Sequence, residues 1–165
     1  MSMNEDQVIR RDRMRFTKNT LSSSLALLAI IADVFYFVSI YKSDVGSYYY
    51  NIIIGASILY NLLFMLIAFL SSEGVKGYKI GYAYALLVIG ALQIVRIFIL
   101  PLSAHTATVT INQQETIVMQ TPQFIRVVIY LCISAACCII AGIVGIIKSR
   151  ALSAHIASMG MTKAA

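Results

Sequence analysis

Charge is what this sequence has least of. Only 12% of its 165 residues are Asp, Glu, Lys or Arg, 59% are hydrophobic, and the mean hydropathy is +0.82. A soluble domain carries about a quarter charged residues, so an ordinary water-soluble globule is excluded. Histidine occurs twice and cysteine three times. Cys132, Cys137 and Cys138 share one apolar run, without the spacing or companions of a zinc site or disulfide framework, and are expected to be small packing residues. His105 and His155 fall on opposite sides of the membrane in the topology derived below, so they cannot share a site. Tryptophan is absent and proline appears only at Pro101 and Pro122. No Gly-rich phosphate loop, nucleophile elbow or pair of catalytic carboxylates is present. These absences argue against an enzyme and leave no expected metal or cofactor.

What the chain does have is long apolar runs. Leu21 to Tyr41, Tyr49 to Leu70, Ile80 to Leu100 and Phe124 to Ile147 each reach the roughly 20 helical residues that cross a hydrocarbon core about 30 Å thick. No charge interrupts Val45 to Ser72 or Val127 to Ile147, whereas the first run contains Asp33 and the third Arg96. Pro101 follows the third run, and Thr121 with Pro122 forms a cap and first-turn pair before the fourth. The sequence therefore predicts an all-α integral membrane protein, a bundle of four transmembrane helices in one domain.

The basic residues set its orientation. Arg10, Arg11, Arg13, Arg15 and Lys18 precede the first run, Lys76 and Lys79 lie between the second and third, and Lys148, Arg150 and Lys163 follow the fourth. The other side holds only Lys42 and, at a helix edge, Arg126. The excess of Lys and Arg on cytoplasmic flanks places residues 1–20, the second loop and residues 148–165 in the cytoplasm, in a multi-pass protein of the plasma membrane. No small-residue cleavage site follows the first run, which reads as an uncleaved anchor. A net charge of +6 and a pI near 9.3 reflect these flanks rather than a nucleic-acid-binding face. The Arg10 to Lys18 cluster could instead hold anionic lipid, at about 1 kcal/mol per basic side chain.

Short connections make helices one and two, and two and three, antiparallel neighbours. Residues 101–123 form a longer external loop, polar but nearly uncharged. Alternating β-branched residues in Thr108 to Ile111 and Thr116 to Met119, around Asn112, Gln113 and Gln114, suggest a β-hairpin. A lone two-stranded hairpin is marginal in water, so this one is expected to pack on the bundle rim or on a partner.

Asp33 is the anomaly that demands explanation, since it falls about 18 Å along the first helix, past the bilayer midplane, where a charge is costly. Either it is a buried carboxylate that fixes helix packing, or it belongs to a proton- or cation-coupled site. Arg96, on a helix running in the same direction, is its candidate partner or else a side chain reaching out to headgroups. Gln93, one turn below, and Asn61 in the second helix complete a candidate intramembrane polar cluster. Rows of small residues, Gly77–Gly81–Ala85 and Ser134–Cys138–Gly142 with Ala141 and Gly145 alongside, serve internal packing or oligomerisation. The tyrosines at helix ends, Tyr36 and Tyr41, Tyr48 to Tyr50, and Tyr78, Tyr82 and Tyr84, are expected to be belt residues, Tyr82 and Tyr84 lying deep enough for a ligand-facing role.

An acidic residue in the first of four helices resembles the small multidrug transporters, and two inside termini resemble claudin-like proteins. This chain is too long for the former and lacks the tryptophan and cysteine pattern of the latter's first outer loop, so neither family lends it residues. The expectation is a non-enzymatic accessory or scaffold subunit that binds another membrane protein or forms a homo-oligomer. The alternative is a small oligomeric transporter or channel using Asp33 and Arg96, and a membrane-embedded enzyme comes third.

Overall fold

The structure, a computed structural model, describes residues 18–41, 51–106, 108–111, 114–117 and 119–163. Arg10, Arg11, Arg13, Arg15, Lys42, Tyr48, Tyr49, Tyr50, Asn112 and Gln113 lie outside the described residues. In chain order the elements are α1 (Thr20–Tyr41), α2 (Asn51–Lys76), α3 (Ile80–Ile99), the short α4 (Pro101–Thr106), β1 (Thr108–Ile111), β2 (Gln114–Ile117) and α5 (Thr121–Lys163). Four helical stretches, α1, α2, α3 continued by α4, and α5, are long and apolar enough to cross a membrane.

Each long helix buries one stripe. On α1 the buried positions include Ser22, Ala26, Ala29, Asp33, Tyr36 and Ile40, flanked by Ser23 and Ala32, and on α2 they are Asn61, Phe64, Ala68, Ser71, Ser72 and Val75. Spacings of three and four residues put such positions on one side of a helix. The opposite sides carry exposed Leu27, Leu28, Ile31, Phe35, Leu59, Leu62, Leu66 and Phe69. A surface this apolar would aggregate in water and suits hydrocarbon.

The four helices form a ring in which α1 packs on α2 and α5, and α3 packs on the same two. Neighbours run antiparallel. Asn19 N donates to Lys76 O at 3.1 Å where α1 begins and α2 ends, while Gln123 Nε2 donates to Ser39 O at 3.1 Å where α5 begins and α1 ends. Small residues permit close approach. At Gly142 an added Cβ would lie 2.9 Å from Ala83 O, and at Gly90 it would lie 2.9 Å from Ile139 Cγ1. In lipid, where water expulsion does not drive helices together, such packing and interhelical hydrogen bonds do. Serines supply the bonds: Ser22 Oγ donates to Ala141 O, Ser134 Oγ donates to Ala29 O at 3.0 Å, and Ser23 and Ser72 share a bond of 2.8 Å.

Of the small-residue rows, the one on α5 is spent inside the bundle. That on α3 is not the contact: Gly81 is exposed with nothing near its missing Cβ, and Ala83 and Gly90 do the packing instead. A row of small residues shows that one face could approach a neighbour, but helix rotation decides which face does.

Two helices outrun their apolar spans. α2 continues to Lys76 rather than stopping at Leu70, because Ser71, Ser72 and Val75 still face the core. It ends where Lys79 N bonds back to Gly74 O and Tyr78 N to Val75 O, with Tyr78 in the left-handed conformation at φ 59°. These are the paired closing bonds of a Schellman motif, which usually employs glycine. α5 runs on to Lys163, so the stretch after Ile147, read above as a tail, is helical. The loop after α3 likewise opens with a helix, α4, which starts at Pro101, a first-turn position that needs no N–H.

β1 and β2 pair antiparallel, Thr108 opposite Ile117 and Ile111 opposite Gln114. The second strand thus lies two residues earlier than Thr116 to Met119. Met119 has left the ladder: it is fully buried, with its N–H bonded to Ala104 O at 3.1 Å and its carbonyl 3.0 Å from His105 Nδ1. Burying a large apolar side chain on the end of the bundle outweighs one more rung of an exposed two-stranded ladder.

Candidate functional site

The core is divided. One apolar cluster gathers Ala26, Ala29, Phe64, Ala68, Leu86, Cys138 and Ala141 toward the end where α1 begins, and another gathers Tyr36, Ile40, Met119, Val127 and Leu131 toward the opposite end. Between them, each of the four long helices contributes a buried polar side chain. These are Asp33 from α1, Asn61 from α2, Gln93 and Arg96 from α3, and Ser134 from α5.

Three of the four residues singled out in the sequence are in direct contact. Gln93 Nε2 donates to Asp33 Oδ1 at 3.0 Å and to Ser134 Oγ at 3.4 Å. Arg96 Nη1 donates to the same Asp33 Oδ1 at 3.3 Å, a buried ion pair in which Asp33 is wholly enclosed. The other arm of the guanidinium, Nη2, donates to Ser57 Oγ on α2 at 3.2 Å. Arg96 therefore turns inward rather than out toward headgroups. The third helix carries both donors on one face because positions 93 and 96 lie one turn apart. Asn61 is fully buried one turn from Ser57, and neither atom of its amide has a hydrogen-bond partner among the described residues. Asp33 Oδ2 and Gln93 Oε1 are likewise buried and unpartnered there.

Several members of this site escaped the sequence. The Arg96 guanidinium carbon lies 4.2 Å from the centre of the Tyr36 ring and 4.7 Å from that of Tyr60. A desolvated cation over an aromatic face gains about 2 kcal/mol. Tyr36 is thus no belt residue. The signal was its place three residues beyond Asp33 on the stripe begun by Ala26 and Ala29. Ser57 and Tyr60 could have been found as the neighbours of Asn61 one turn away and adjacent. Tyr82 and Tyr84 remain on the outer surface, and the Tyr82 ring occupies the space over Gly74 where a side chain would otherwise stand.

Above this layer the seam between α2 and α3 opens sideways into a recess of about 280 Å³, lined by Ala56, Ser57, Tyr60, Leu92, Val95, Arg96, Ile99 and Leu100. Asp33, Gln93 and Asn61 do not line it. Its walls are aliphatic apart from the guanidinium, one hydroxyl and one phenol. Chemically, this arrangement can bind. It holds no nucleophile set against a base, and among the described residues no three His, Cys, Asp or Glu side chains gather as metal ligands would. His105, stacked on Phe124 at 4.5 Å, belongs to the bundle end beside Met119.

Fold and site together define a class, a four-helix protein whose long helices are each apolar enough to cross a membrane and enclose an internal polar layer. This chain has no significant match among protein-family models, curated proteins or solved structures.

Proposed function

We propose that the chain is a non-enzymatic accessory or scaffold subunit of the plasma membrane, crossing it four times and binding another membrane protein. The observation that carries this is the contrast between interior and exterior. Asp33, Gln93, Ser134 and the small residues of α5 are consumed inside the bundle, whereas the β1–β2 ladder stands on the bundle by its Met119 foot. Among the described residues neither strand has a second neighbour, and Ile117 is half exposed. Open strand edges are templates for a further strand from a partner.

The charge distribution supports an orientation. Asn19 bonds to Lys76 and Ser149 Oγ to Tyr78 O, so Lys18, Lys76, Lys79, Lys148 and Arg150 gather at one end of the bundle. That end faces the cytoplasm in this proposal and the ladder faces outward. Pull-down of the tagged chain from native membranes in mild detergent tests the assignment. One membrane protein is expected to co-purify in fixed ratio, and to be lost when residues 108–117 are replaced by a Gly-Ser linker. A chain that stays monomeric with nothing attached overturns it.

A second reading, a small oligomeric transporter with Asp33 and Arg96 in its pathway, draws support from the recess that reaches the guanidinium. Against it stands Asp33, enclosed and outside that recess. Proteoliposomes showing a proton-coupled flux that Asp33→Asn abolishes would favour transport, and absence of flux removes it.

A further inference from the structure

The recess between α2 and α3 has a shape and chemistry that the accessory role does not use. We propose that it is a binding site for one acyl chain of a membrane glycerolipid, whose ester carbonyl accepts hydrogen bonds from Arg96. This proposal stands independently of the partner protein.

Three features carry it. The first is size, since a recess of about 280 Å³ with mostly aliphatic walls has room for a slender apolar segment such as part of one acyl chain. The second is access: Leu92, Val95 and Ile99 are 44%, 52% and 62% exposed, so the recess opens on the side of the bundle that hydrocarbon would cover. The third is its polar end. Arg96 is 6% exposed and makes two hydrogen bonds, one to Asp33 and one to Ser57. A guanidinium has five N–H groups, so five less two leaves three without a protein acceptor among the described residues. The Tyr60 phenol stands beside them.

Charge selects the acceptor. Asp33 already balances Arg96, and an anion in the recess would leave a net buried negative charge, which is expensive away from water. An uncharged carbonyl accepts from the spare N–H groups without that penalty.

The test separates the carbonyl from everything else about a lipid. The full chain is reconstituted in nanodiscs of diester phosphatidylcholine or of its diether analogue, which shares headgroup and chains, then released into detergent and examined by native mass spectrometry. One diester lipid per chain is expected to remain bound, with the diether retained about tenfold less, the worth of one or two such hydrogen bonds. Ala56→Phe, which fills the recess from an exposed position on α2, is expected to remove the retained lipid while leaving the melting temperature unchanged. Should Ala56→Phe fail to fold, Val95→Phe closes the recess from α3 with the same expected result. Equal retention of ester and ether, several equivalent lipids per chain, lipid retained by the filled variants, or a photoreactive group at position 95 that captures a second protein in place of lipid, each overturns the proposal.

Discussion

Without its Asp33 carboxylate, the Arg96 guanidinium would remain buried against two tyrosine rings, with Ser57 as its only acceptor among the described residues. Breaking a buried pair from one side costs about 3–5 kcal/mol, mostly for the charge left behind. Asp33→Ala is therefore expected to lower stability by that order in detergent denaturation. The double variant Asp33→Asn with Arg96→Gln, which removes both charges, should recover more than half of the loss. A double variant no better than the single one would show that the pair is not the source. Asn61 makes the opposite case, because its amide is buried with no partner in the described structure. Replacing it with Leu removes an unsatisfied polar group worth about 1–3 kcal/mol, so Asn61→Leu is expected to be neutral or stabilising in thermal unfolding. Clear destabilisation would mean that the amide has a partner of its own. Asp33 and Arg96 were legible in the sequence because a charge within an apolar run is costly wherever the helix points. Ser57, Tyr60, Ser134 and Tyr36 were not, because serine and tyrosine are ordinary in such runs and only helix rotation brought them to the guanidinium.

Among the elements, the seam between α3 and α5 is the tightest test of the packing. A side chain at Gly142 would press into Leu87 and the backbone carbonyl of Ala83, whereas one at Gly81 would meet nothing. Gly142→Val is expected to destabilise by about 2–3 kcal/mol through overpacking, and Gly81→Ala to stay within about 0.5 kcal/mol of the parent. Equal effects from the two would place α3 in a different rotation about its axis. The existence of the four long helices was evident from apolar run length alone. Their ends were less so, since the apolar signal stops at Leu70 and Ile147, while hydrogen bonding and core contacts carry α2 to its Schellman turn and α5 continues as helix to Lys163. The strand register moved for a related reason. Alternation of residues could not reveal that Met119 would be drawn down onto α4 and out of the ladder.

For the whole molecule, the proposed orientation makes a prediction about access. In a cysteine-free background, a cysteine at Gln120 should react with a membrane-impermeant maleimide in intact cells, and one at Lys79 only after permeabilisation. Both positions labelling from the same side would contradict the antiparallel ring and its basic end. The four helices long and apolar enough to cross a membrane, and the proposed orientation, follow from the sequence by itself, because hydrocarbon thickness and the cost of moving Lys and Arg across it act on runs and flanks irrespective of what packs against what. The layer that joins Asp33, Gln93, Arg96 and Ser134, and the recess above it, were decided by tertiary structure alone. Contacts between residues sixty positions apart depend on how helices rotate and how closely glycines let them approach, and neither quantity is written in any one segment of the chain.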